Sequence, residues 1–236
     1  MKRPAVDYRE FRLNLLNDPR FSHLRLLGCW IVYFILYGLT ENLIPVERCH
    51  VIHCALDDII PFNEFFLIFY CYWFALIVIS LLYFLLYDIP RFKRLQTYIM
   101  LTQIIAMAVY IVYPSVQNLR PATFARDNAL TRLMTFIYHF DTPTGVCPSL
   151  HVAYSIAIAS EWCHGQGVSK GCKAWMVASA VLISLSTMFV KQHSAVDVLA
   201  ALPMCAAIEA FIHGKLGGKP GERLRAYLNA GPTVLT

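Results

Sequence analysis

His193 and Asp197 stand four residues apart in the stretch STMFVKQHSAVDVLA, and His151 closes the earlier stretch CPSLH. On a helix, residues four apart share a face, so the Asp197 carboxylate lies beneath the His193 imidazole. A carboxylate bonded to one ring nitrogen fixes the tautomer and leaves the other nitrogen nucleophilic. The plainer reading is a polar pair satisfying a helix start. Against it stands the cost of a carboxylate four residues into an apolar helix, roughly 2–3 kcal/mol. Ahead of His151, Pro148 suits a first helical turn, and the N–H groups of Ser149, Leu150 and His151 would then point out of a helix start, where an anion binds. Pro148 and Ser149 also read simply as a start signal before an interfacial histidine. Lys191 and Arg120 add two cations. Two histidines, a carboxylate, two cations and a helix N-terminus suit phosphoryl transfer through a phosphohistidine. One histidine attacks phosphorus, the carboxylate orients it, and the other histidine protonates the leaving oxygen. No metal or other cofactor is required, and no acidic cluster is present to hold one.

The elements that must position these groups are membrane helices. The 236 residues are 58% hydrophobic and 15% charged, with mean hydropathy +0.52. A soluble chain carries about 25% charged residues. The composition therefore excludes a water-soluble globule, a disordered chain and a nucleic-acid binder, despite the net charge of +5. A span needs roughly 20 apolar residues. Stretches 24–44, 65–87, 95–113 and 174–190 qualify on hydropathy. Stretches 148–162 and 194–212 carry His151 and Glu161, and Asp197 and Glu209, and complete six spans. Charged groups inside a membrane helix are costly and usually functional, which draws attention to these two.

Six spans put both termini on one side. Of the 20 Lys and Arg, 15 fall in the N-terminal arm, the turns after the second and fourth spans, and the tail. By the positive-inside rule the termini are cytoplasmic, and the loops carrying Arg120, Ser149, His151 and Lys191 face outward, with the plasma membrane the expected location. The expected organisation is an amphipathic cytoplasmic arm (1–23), a six-span membrane domain (24–213) and a flexible Gly-rich cytoplasmic tail (214–236). In the longest outward connection Leu130, Leu133, Met134 and Ile137 follow helical spacing, with Asp127 or Asn128 placed to cap, which predicts a surface amphipathic helix. Asp57 and Asp58 could lie over the pocket or solvate a tight turn, and the turn is preferred. Cys49 and Cys54 are close enough to pair in an oxidising compartment, but no pairing is assigned.

Arg120-Pro121, PSLH at 148–151 and S-x6-H-x3-D from Ser186 to Asp197 together resemble the three ordered motifs of the type 2 phosphatidic acid phosphatase superfamily: K-x6-RP, PSGH and SR-x5-H-x3-D on a six-helix membrane core. The resemblance covers roughly residues 113–201. It implies His193 as nucleophile, Asp197 as its orienter, His151 as general acid, and phosphate contacts from Arg120, Ser149 and the N–H groups of Leu150 and His151. The family's Lys, Gly and Arg are replaced by Tyr113, Leu150 and Thr187, leaving Lys191 as the obvious substitute cation. Such replacements look like the branch holding inositol phosphorylceramide synthases and bacterial members. The implied activity is metal-independent hydrolysis of a lipid phosphate or diphosphate. Transfer to an alcohol acceptor is the alternative, as in inositol phosphorylceramide or sphingomyelin synthases, and a catalytically silent membrane binding protein or transporter is the third possibility.

Overall fold

The structure, a computed structural model, describes residues 4–214 and 218–231. Lys2, Arg3 and Lys215 of the basic count lie outside these residues. The described chain is predominantly α-helical: α1 (Gly28–Leu43), a short α2 (Ala55–Ile59), α3 (Leu67–Tyr87), α4 (Ile89–Val112), α5 (Ala129–Phe140), α6 (Leu150–Cys163), α7 (Lys170–Phe189), α8 (Ala195–Ile212) and α9 (Gly218–Asn229). Two parallel two-residue strands, β1 (His50–Val51) and β2 (Ser115–Val116), tie the connection after α1 to the one after α4.

Among the described residues five helical segments are long and apolar enough to cross a membrane: Ser22–Leu43, Glu64–Tyr87, Ile89–Val112, Lys170–Phe189 and Ala195–Ile212. The remaining stretch, 148–162, forms α6, whose 14 residues reach about 21 Å, short of the ~30 Å hydrocarbon core. α6 packs on α3, α4, α7 and α8, and nine of its side chains are buried. Its small residues Ala153, Ala157 and Ala159 allow close approach by its neighbours. Exposed apolar side chains such as Ile31, Phe34, Phe74 and Val181 lie on the outer helices. α4 begins at Ile89 rather than near residue 95, because the Asp88 side chain accepts from the Arg91 N–H and Pro90 occupies the first turn.

The amphipathic helix is α5, with Asn128 as its cap: its Oδ1 accepts from the N–H groups of Leu130 at 2.9 Å and Thr131 at 3.0 Å. Met134 is fully buried and Leu130 and Ile137 are partly buried, whereas Leu133 faces outward. Asp127 pairs with Arg132 instead of capping. The tail, by contrast, is not a flexible end over its described part. α9 docks on α4 and α8, burying Leu228 completely. The Lys93 ammonium donates to the carbonyls of Tyr227 at 3.2 Å and Ala230 at 3.0 Å, a cation on the end of a helix whose last carbonyls lack helical partners. Gly content alone concealed this docking.

Candidate active site

Helices α6 and α8 begin side by side at one end of the bundle, and their N-termini are joined directly. The Ser149 N–H donates to the Asp197 carbonyl at 3.1 Å. Ser149 and Ser194 are the two N-caps: Ser149 Oγ accepts from Val152 N–H at a long 3.5 Å, and Ser194 Oγ from Val196 N–H at 3.1 Å. Asp197 completes a capping box on α8, its Oδ2 accepting from the Ser194 N–H at 2.9 Å.

The same Oδ2 lies 3.2 Å from His193 Nδ1, and His193 Nε2 lies 3.3 Å from His151 Nδ1. The helix-capping reading and the imidazole-orienting reading of Asp197 are therefore both satisfied by one oxygen. The Asp197 contact assigns the His193 proton to Nδ1 and leaves a lone pair on Nε2. The His151 proton then belongs on Nδ1, pointing at that lone pair. The His151 ring is held by Trp73 and Tyr70, with centroids 4.1 and 4.7 Å away. Its Nε2 is buried without a partner among the described residues.

His193 owes its position to an unusual end of α7. Lys191 adopts φ 53°, the left-handed region usually given to glycine at a helix end. The turn it makes directs the N–H groups of Gln192 and His193 onto one carbonyl, that of Thr187, at 2.9 and 3.1 Å. For a side chain such as lysine this backbone costs on the order of 1 kcal/mol. The Lys191 ammonium answers it by donating to the carbonyls of Asp57 at 2.8 Å and Ile60 at 2.5 Å, across the loop after α1. Burial lowers the Lys191 pKa, and the charges of Asp57 and Asp58 work against that.

The expected phosphate contact from Lys191 is thereby replaced by a structural one. Lys191→Met should lower the melting temperature, as expected for two buried carbonyls left without a donor at about 1–3 kcal/mol each. Substrate KM should barely move. An unchanged melting temperature with a large loss in kcat would return the ammonium to the phosphate.

Arg120 is likewise committed to protein groups. Its guanidinium donates to the carbonyls of Tyr138 and Asp141, both at 2.9 Å, and to Gln192 Oε1 at 2.6 Å. Gln192 in turn donates to Asp141 Oδ2 at 3.2 Å. Arg120 thus braces the residue beside His193 from behind. Of the other positions where the family carries distinctive residues, Tyr113 stacks on His50 at 4.0 Å, and Thr187 is buried with its hydroxyl on the Ser184 carbonyl.

A cavity of about 380 Å³ adjoins the histidine pair. Trp30, Tyr33 and Phe34 of α1, Trp73 of α3, Tyr110 of α4 and Tyr154 of α6 give it aromatic walls, and Leu150, His151, Gln192, His193 and Asp141 complete one side. Among the described residues that line it there is no Lys or Arg. Burial raises the Asp141 pKa, against the pull of the Arg120 guanidinium. Cys147 offers no rival nucleophile: burial, then the neighbouring Asp197 carboxylate, push its thiol up to about 12. Cys49 and Cys54 are both free thiols.

Asp57 is the residue that sequence reasoning misplaced. It neither solvates a turn nor faces the cavity. It is buried, and its carboxylate accepts from the Ala195 N–H at 2.8 Å, the Ser194 hydroxyl and the Cys54 N–H at 2.8 Å. The α8 N-terminus therefore carries two carboxylates, Asp57 from outside and Asp197 from within, as the positive end of a helix favours. Asp58 instead pairs with His53 at 2.8 Å. The only early signal was the paired acid directly before an apolar IIPF run, and nothing local ties it to position 194.

Burial raises the Asp57 pKa, but the hydrogen bonds from Ser194, Ala195 and Cys54 outweigh it and the net shift is downward. The sign follows: this carboxylate stabilises the fold above the ordinary carboxylate range, and that contribution is lost as pH falls through its lowered value. Asp57→Asn should lower the melting temperature at neutral pH and flatten its decline on acidification. Identical acid profiles for both chains would place the acid-sensitive group elsewhere.

Comparison with protein-family models, with curated proteins and with solved structures finds no match to this chain.

Proposed function

We propose that this chain is an integral-membrane phosphatase of the type 2 phosphatidic acid phosphatase kind, with α6 as the sixth helix of its bundle, and that it hydrolyses a lipid phosphate monoester or diphosphate through a phosphohistidine. The observation that carries the reading is the line Asp197–His193–His151, with successive contacts of 3.2 and 3.3 Å, beside an aromatic cavity. His193 Nε2 attacks phosphorus, forming a P–N bond as the P–O bond to the lipid breaks. The departing oxygen takes the Nδ1 proton of His151. Water then attacks the phosphohistidine while His151 accepts its proton, and inorganic phosphate leaves. The developing imidazolium is stabilised by Asp197. With Arg120 and Lys191 committed elsewhere, the non-bridging oxygens fall to the N–H groups of Leu150 and His151 at the start of α6 and to the Gln192 side-chain amide.

The aromatic lining also supports a second reading. A cavity that excludes water favours passing the phosphoryl group, with or without a head-group, to an alcohol. The test is the purified chain in detergent with a panel of lipid phosphates and diphosphates. Free phosphate and lipid products are measured with and without alcohol acceptors. Phosphate release without an acceptor supports the phosphatase, and turnover only with an acceptor supports the transferase. No turnover of any lipid phosphate would leave the silent binding protein as the reading.

The proposed orientation puts the histidines on the extracytoplasmic side and both termini in the cytoplasm, following the distribution of basic residues. A membrane-impermeant thiol reagent on intact cells should label a cysteine at the exposed position Ala122 above the background of the unmutated chain. Cysteines at the exposed positions Lys170 and Arg223 should remain unlabelled until the cells are opened. The reverse pattern would move the site to the cytoplasm.

A further inference from the structure

At the opposite end of the bundle, about 20 Å along α6 from His151, a second group of ionisable side chains is gathered where α6 and α8 end. His164 caps the C-terminus of α6, and Glu209 and His213 lie four apart at the end of α8. One donor atom from each of the three lies within 4.8 Å of the others. The proposed phosphatase chemistry makes no use of them.

We propose that His164, Glu209 and His213 bind one divalent ion of the zinc class, clamping the end of α6 to the end of α8. Two imidazoles and a carboxylate are a recurrent zinc donor set, with a water in the fourth position. Glu209 and His213 are spaced to present ligands from one helix face, as in helical zinc motifs.

The independent sign of a built site lies behind the ligands. Glu161, fully buried, accepts from His213 Nε2 at 2.8 Å and is itself paired with Arg94 at 3.0 Å. A carboxylate on the far nitrogen is the usual backing of a metal-bound histidine, and it leaves His213 Nδ1 for the ion. Ser160 Oγ donates to Glu209 Oε2 at 2.7 Å, fixing that carboxylate as well.

Two further features agree. A cleft of about 410 Å³ lined by Arg91, Arg94, His164 and His213 gives an ion access. The two guanidiniums of this cleft are each held by a carboxylate, Arg91 by Asp88 and Arg94 by Glu161. The rings of His164 and His213 stack at 4.0 Å and 1°. Tetrahedral donors 2.0–2.2 Å from zinc lie roughly 3.3 Å apart. Binding therefore requires the exposed His164 ring to turn out of the stack, which its position at a helix end allows.

The probe is Co²⁺, added to the full chain in detergent after EDTA treatment. The expected result is one equivalent bound with visible d–d absorption, displaced by Zn²⁺, and no thiolate-to-cobalt band from the free cysteines. His164→Ala, at an exposed position, should weaken binding at least ~10-fold, and Glu161→Gln by about 10–100-fold through the backing contact. Zn²⁺ should raise the melting temperature of the unmutated chain and leave that of His164→Ala unmoved. Undetectable binding at micromolar Co²⁺, a thiolate band, or unchanged affinity in the well-folded His164→Ala chain would each overturn the site.

Discussion

A His193→Ala chain should form no acid-labile phosphoenzyme and should turn over lipid phosphate at least about 10⁴-fold more slowly, the scale on which removal of a covalent nucleophile is felt. The expectation rests on what surrounds the position. Among the described residues Asp197 Oδ2 contacts His193 Nδ1 and no other imidazole. The Cys147 thiol is pushed up to about 12 and is not a thiolate at neutral pH. Ser149 and Ser194 are engaged as helix caps. Rapid-quench labelling with a radioactive lipid phosphate, with acid and base stability of the trapped label, measures the intermediate directly. Label retained in His193→Ala and lost in His151→Ala would exchange the roles of the two imidazoles, since only 3.3 Å separates their facing nitrogens. Label retained in both would remove the phosphohistidine.

The parts of this arrangement that were legible in the sequence are those that depend on local spacing. His193 and Asp197 meet because a helix returns to the same face after four residues. Ser149 marks the start of α6 as its N-cap, but Pro148 lies before the cap rather than in the first turn, and the Ser149 N–H expected to face an anion is taken by the Asp197 carbonyl. The apolar runs located five helices long enough to span, and the spacing of Leu130, Met134 and Ile137 located α5. The extent of α6 was legible from the stretch 148–162, but the partners of Glu161 near its end, Arg94 and His213 from elsewhere in the bundle, were not.

What was not legible depends on contacts between distant residues. Lys191 and Arg120 looked like free cations next to a nucleophile. Their guanidinium and ammonium groups are instead spent on carbonyls of Asp57, Ile60, Tyr138 and Asp141. Asp57 looked like a turn residue, and it reaches the start of α8, far along the chain. Spacing rules carry no information about such pairs. A basic, Gly-rich tail reads as solvated unless the buried Lys93 that receives its last carbonyls is known.

His151→Ala carries the second large effect, and its size should depend on the leaving group. For a lipid alkoxide, which departs only with a proton, phosphoenzyme formation should slow by about 10²–10⁴-fold, the usual contribution of a general acid. For p-nitrophenyl phosphate, whose leaving group needs little protonation, the loss should be far smaller. The geometry gives the reason. With the His193 proton held at Nδ1 by Asp197, the only hydrogen available between the two rings is on His151 Nδ1, 3.3 Å from the attacking nitrogen. Once a bound phosphoryl group has parted the two rings, an oxygen leaving phosphorus toward His151 meets this proton. Tyr70 and Trp73 pack against the ring and keep the proton aimed there. Comparing the two substrates in His151→Ala and His151→Gln separates proton donation from shape, because Gln retains a donor without being an acid. Equal losses on both substrates would mean that His151 orders the pocket rather than protonating the leaving oxygen. Full rescue of the lipid reaction by Gln would mean that a hydrogen bond suffices there.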